Sequence, residues 1–255
     1  MERNIVHMTW TEVQALEKDK AALVLPLGSI EQHGPHMTVD CDLFFSETFL
    51  ARALAALSDD VRIYRLPMQP ISKSNEHEGF PGSFWLSAST LTAVIRDIAK
   101  SAVASGFRRL VLWNCHGGNR ALLEVIARDV RAETGLMVFQ IFPPAIVKDP
   151  IETTAEEAEY GIHAGDWETS VMLHLSPERV RTDRLDKALP AFSGKHLALE
   201  FTGATVAWLT RDFQKTGTWG DATIATAERG KVRADAVLSA LGPILREIAV
   251  FEFPS

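Results

Sequence analysis

Four short apolar runs alternate with stretches of helical periodicity, and this alternation constrains the fold more than any other feature of the chain. Ala21–Leu27 is apolar throughout between Lys20 and Gly28. Residues 61–66 alternate up to Pro67, residues 109–113 run straight into Asn114, and residues 137–142 follow Gly135. Uniformly apolar strands are buried on both faces, which is the condition of a parallel sheet. Between them the spacing predicts helices over 42–57, 91–103 and 120–133, with two more over 166–175 and 228–250. Ser89 reads as the N-cap of the second helix and Gly106 as its stop. The acidic stretch 149–159 reads as a solvated surface loop or short helix, and 190–220 shows no clear period. Strand–helix alternation of this kind calls for an α/β architecture, a mostly parallel sheet covered on both faces. With no repeat or linker, residues 1–255 form a single domain.

Such sheets gather their chemistry beyond the carboxyl ends of the strands. After the first strand comes Gly28-Ser29-Ile30-Glu31-Gln32-His33-Gly34-Pro35-His36, then Asp42; after the third comes Asn114-Cys115-His116-Gly117-Gly118-Asn119. A third polar cluster is Gly161-Ile162-His163-Ala164-Gly165-Asp166-Trp167-Glu168-Thr169-Ser170. Carboxylates and imidazoles gathered at fixed loop positions are what divalent metals of borderline hardness require. Asp42 could alternatively cap its helix, and each histidine could be structural. It is the three clusters together that point to a metal centre.

The net charge is -7, and no basic face compensates it, which argues against nucleic acid or an anionic membrane as partner. No apolar run is long enough to span a bilayer, and the first residues lack the apolar core of a signal peptide. The chain has only two cysteines, Cys41 and Cys115, each beside a polar motif, which suits reduced thiols in a cytoplasmic protein.

The first motif, with Asp42, Asn-Cys-His-Gly-Gly-Asn and His-Ala-Gly-Asp-Trp-Glu-Thr-Ser, resembles the creatininase (creatinine amidohydrolase) family. Glu76-His77-Glu78-Gly79-Phe80-Pro81-Gly82 and Thr218-Trp219-Gly220-Asp221 agree with it, in order, over most of the chain. The resemblance implies a three-layer α/β/α metal hydrolase, commonly a homohexamer, acting on a small-molecule substrate. It further implies two divalent ions (zinc, manganese or iron) held by Glu31, His33, Asp42 and His116, with Asp42 bridging.

Two departures bear on the substrate. Creatininase proper carries a metal-binding glutamate two residues after the second-motif histidine, where this chain has Gly118. It also has a Trp and an Asp shortly before its catalytic histidine, where this chain has Glu159 and Tyr160. Both point away from creatinine and toward relatives of the His-Gly-Gly-Asn type. Those relatives resemble formamide deformylases, peptidases of peptide-derived cofactor maturation and hydrolases of cyclic sugar ketones. The missing acid is then expected from Glu168, with Asp166 as the alternative.

The expected reaction is cleavage of a C–N bond in a small amide, a formamide or cyclic amide, by a metal-bridged hydroxide. His163 is the expected general acid/base, or else it orients Glu168. His77, Tyr160 and Trp167 are expected to face the substrate, and Gly117 and Gly118 to let the backbone come close to it. His36 reads as a structural neighbour. Creatininase proper, a cyclic sugar-ketone hydrolase and a non-catalytic metal-binding scaffold are the competing readings.

Overall fold

Seven consecutive buried residues make Ala21–Leu27 (β1) a core strand, and the molecule is built outward from it. The computed structural model describes residues 1–192, 194–200 and 203–254. In chain order the elements begin with helix α1 (Trp10–Ala15), β1, α2 (Cys41–Ala55), β2 (Arg62–Arg65), α3 (Ala88–Ala104), β3 (Arg109–Asn114) and α4 (Arg120–Thr134). They continue with β4 (Met137–Ile141), α5 (Ala155–Tyr160), α6 (Asp166–Leu175), β5 (Lys187–Ala188), α7 (Thr210–Phe213), β6 (Gly220–Asp221) and α8 (Ala227–Val250).

The main sheet has the order β2-β1-β3-β4 and is parallel throughout, with Leu23 opposite Leu110 and Val111 opposite Phe139. Successive side chains of a strand point to opposite faces. Accordingly Leu25, Leu27, Leu110 and Leu112 pack with Leu91, Ile95 and Leu123 of α3 and α4 on one face. Ala22, Val24, Val111 and Trp113 pack with Phe45, Val171 and Leu241 of α2, α6 and α8 on the other. These are the three layers of an α/β/α sandwich. Among the described residues no helix is long and apolar enough to cross a membrane.

Helix starts follow local chemistry. Ser87, two residues earlier than the sequence suggested, accepts from Thr90 N–H as the N-cap of α3, because Ser89 is already inside the helix. Gly106, after that helix, has φ 86°, a left-handed conformation that glycine adopts without strain. The acidic stretch is not simply solvated. Glu157 of α5 is buried and accepts from the N–H groups of Asp166 (2.8 Å) and Asp221 (2.5 Å). In the unperiodic region, β6 pairs antiparallel with β5, and Trp219 just before it bridges to His163.

Candidate metal centre

The loops that follow β1 and β3 meet beyond the strand ends. Leu27 pairs with Asn114, so Glu31 and His116 emerge from neighbouring strands at the same edge. Asp42 lies in the first turn of α2, where the helix dipole favours a carboxylate. His163 arrives from the segment before α6, held by paired backbone bonds with Trp219 (3.0 and 2.8 Å).

Asp42 is the centre of the cluster. Its Oδ1 is 3.6 Å from His33 Nε2 and its Oδ2 is 3.2 Å from His116 Nδ1. Glu31 Oε1 lies 3.1 Å from His116 Nδ1, 3.3 Å from His77 Nε2 and 3.8 Å from His163 Nδ1. Three overlapping donor groups result: Glu31–Asp42–His116, His33–Cys41–Asp42 and Glu31–His33–His163, all buried. His33 Nε2 and Asp42 Oδ2 are buried without a hydrogen-bond partner. Buried polar atoms are normally paired, and two orphans within this one cluster suit a metal ion.

The remaining ring nitrogens are anchored. His33 Nδ1 donates to Glu31 O (3.1 Å), His116 Nε2 to Lys73 O (2.9 Å) and His163 Nε2 to Gln32 O (2.6 Å). Carbonyl oxygens only accept, so these protons are fixed and the other nitrogens turn inward. For His77 the order is reversed. Gln32 Oε1 accepts from Gly34 N–H, so its amide nitrogen is the donor to Gly217 O and to His77 Nδ1 (2.9 Å). His77 Nε2 therefore carries the proton and donates to Glu31.

Electrostatics follow from burial and from these neighbours. Burial pushes the Glu31 carboxyl up, but His116 and His77 more than reverse this, leaving it well below the usual range. Burial likewise disfavours charge on His33 and His116. For His33 the neighbouring Cys41 and Asp42, and for His116 the neighbouring Glu31, Asp42 and Glu76, outweigh it and raise both rings well above 6.5. His163 is pulled well below 6.5 by burial and by His33 and His77, so its ring is neutral. Glu168 is pushed up to about 7 by burial and by the charges of Asp42 and Glu31. Burial pushes the Cys41 thiol up to about 12.

The third cluster divides. Asp166 is fully buried and committed to Arg229 (2.5 Å), Arg233 (2.7 Å) and Ser170 (2.8 Å), which ties α6 to α8. Glu168 accepts from Ala164 N–H at 2.6 Å and feels the charges of His33, Asp42 and Glu31, but it belongs to none of the three donor groups. Ala164 has φ 53°, a conformation costly for a residue with a side chain, and it lies between His163 and that carboxylate. Trp167 lies edge-on to Phe45 at 6.0 Å, among the core side chains. Tyr160 is half-buried at the end of α5. Gly117 has open space beside it, whereas Gly118 is crowded by Glu76 and His116. His36 donates to or accepts from Thr169 Oγ1 (3.0 Å) behind the centre.

Asn114 and Asn119, which sequence reasoning left without a role, build the second loop. Asn114 spans His116 through its amide (2.6 and 3.2 Å), and Asn119 reaches Ser72 Oγ (3.0 Å) and Lys73 N (3.2 Å). Their signal was the motif itself, with an asparagine at each end of the histidine loop.

A parallel sheet with a buried carboxylate–imidazole cluster at its strand ends defines an α/β enzyme scaffold with a candidate metal centre. The particular family follows from comparison: the creatininase profile (creatinine amidohydrolase) matches residues 6–245, and the chain belongs to that family of hydrolases. It is 34% identical over 216 residues to a mycofactocin precursor peptide peptidase of Mycobacterium ulcerans (strain Agy99), covering 82% of this chain and 78% of that one. It is 29% identical over 263 residues to creatinine amidohydrolase of Pseudomonas putida, covering 97% and 96%. A solved structure described as "Creatininase Mn" aligns with TM-score 0.73 and 26% identity, covering 97% of this chain and 98% of that one.

Proposed function

We propose that this chain is a divalent-metal-dependent amidohydrolase that cleaves the C–N bond of a small amide, a formamide or a cyclic amide. The observation that carries the reading is Asp42, whose two oxygens face His33 and His116 from within two donor groups. Glu31, Asp42 and His116 suit one ion; His33 and Asp42, with Glu168 as the further acid, suit a second. Zinc, manganese or iron fits this donor set of imidazoles and carboxylates. Bound there, such ions supply Lewis acidity toward the amide oxygen and lower the pKa of water.

The chain's own residues do the rest. His163, neutral and pinned through Nε2, offers Nδ1 to take a proton from the nucleophile and return it to the departing nitrogen. His77 donates to Glu31 and holds that carboxylate in place. The apolar packing beneath, from Phe45 to Trp113, keeps bulk water from the far side. A peptide bond is the second reading, supported by the 34% identity to mycofactocin precursor peptide peptidases.

The test pairs metal content with turnover. After reconstitution with zinc, manganese or iron, plasma mass spectrometry should find two equivalents per chain. Hydrolysis of one class among N-formyl amides, creatinine and short peptides should accompany it. Asp42→Asn should abolish both without unfolding the protein, and Glu168→Gln should leave one equivalent. Full turnover in folded Asp42→Asn would reject the proposal.

A further inference from the structure

Behind His116, on the side away from Asp42, sits a carboxylate with no part in the reading above. Glu76 belongs to a short turn, Asn75–His77, immediately before the His77 that donates to Glu31. Its side chain is 11% exposed, with Oε2 2.7 Å from Lys73 Nζ and Oε1 3.3 Å from His116 Nε2. His116 Nε2 therefore faces two acceptors, this carboxylate and Lys73 O at 2.9 Å. Its proton is held outward, and the Nδ1 lone pair is directed between Glu31 and Asp42. The space for this arrangement comes from Gly118. A Cβ added there would overlap Glu76 Oε1 outright and lie 2.6 Å from His116 Nε2. Any side chain at 118 must displace either the carboxylate or the imidazole, whereas next to it Gly117 has open space.

We infer that Glu76 is a positioning residue for metal binding: held by Lys73 in the space that Gly118 leaves, its carboxylate orients His116 and strengthens it as a ligand. The inference rests on the metal-hydrolase reading. A carboxylate on the outer nitrogen of a ligating histidine fixes its tautomer and raises its basicity, and losing such a partner costs about 10–100-fold in metal affinity. Residues 76 and 118 then form a coupled pair, in which the absence of a side chain at one is the condition for the acid at the other.

The test measures zinc and manganese affinity of the full chain by competition with a chromophoric chelator, alongside the visible spectrum of the cobalt-substituted protein. Glu76→Gln should weaken one of the two sites, the one His116 serves, by about 10-fold or more and shift the cobalt bands, with Glu76→Asp recovering much of both. Gly118→Ala should weaken binding similarly in the parent protein and cost less in the Glu76→Ala background, where only the imidazole is crowded. The melting temperature of each metal-free variant shows whether it is folded. Two ions bound with wild-type affinity and an unchanged cobalt spectrum in Glu76→Gln would overturn the inference while leaving the hydrolase reading intact. Additive losses from Gly118→Ala and Glu76→Ala would also overturn it. A wild-type chain that binds no metal would overturn both readings.

Discussion

The histidines beside Asp42 have opposite preferences with and without a metal, and pH exposes the conflict. In the metal-free chain, Cys41 and Asp42 raise His33, and Glu31, Asp42 and Glu76 raise His116, above 6.5 despite burial. A base whose pKa is raised by folding stabilises the fold fully below its unfolded value, and that contribution is lost as pH rises through the folded one. A metal needs the same nitrogens deprotonated, so its binding releases protons and tightens as pH rises. The melting temperature of metal-free protein should therefore fall above pH 7 while that of the loaded protein holds, as calorimetry from pH 6 to 9 would show. A metal-free melting temperature flat across that range would remove the two histidines as the cause. Glu31, His33, Asp42 and His116 were legible in the sequence because glycines and strand ends marked them. Gly118 was legible only as a missing acid; that its space belongs to Glu76 depends on a loop brought in from outside the motif.

At the scale of elements, α6 matters because the two acids of its first turn divide: Glu168 lies near the charges of the centre while the buried Asp166 faces α8. Asp166 accepts from Arg229 and Arg233 of α8, and Arg233 is 1% exposed. Asp166→Asn leaves that guanidinium with Asp149 as its remaining carboxylate beside the backbone oxygen of residue 166, and breaking a buried pair at one end costs on the order of 3 kcal/mol. Urea unfolding should show that loss, with metal affinity reduced less than by changes at Glu168. Periodicity located α2, α3, α4, α6 and α8 because each buries one stripe against the sheet. It could not place β5, β6 or α7, whose two to four residues are set by tertiary contacts rather than by pattern. Nor could it distinguish Glu157 from the exposed acids beside it, because two distant backbone N–H groups bury that carboxylate.

For the whole molecule, the candidate ligands come from the loop after β1, the start of α2, the loop after β3 and the segment around α6. Ions held there would cross-link four parts of the chain that are distant in sequence. A ligand that binds only the folded state stabilises it by about 4 kcal/mol at 1,000 times its Kd. Chelation should lower the unfolding midpoint accordingly, and a midpoint unmoved by chelator would mean the centre holds no ion. The strand order adds a consequence for biosynthesis. β1 lies inside the sheet, between β2 and β3, so one of its edges has no partner until Arg109–Asn114 has been made. Domains fold as they emerge from the ribosome, and unpaired strand edges are where nascent chains aggregate. The segment that carries the chemistry is thus the one most in need of shelter during translation, and slow synthesis across α2 and α3 would prolong its exposure.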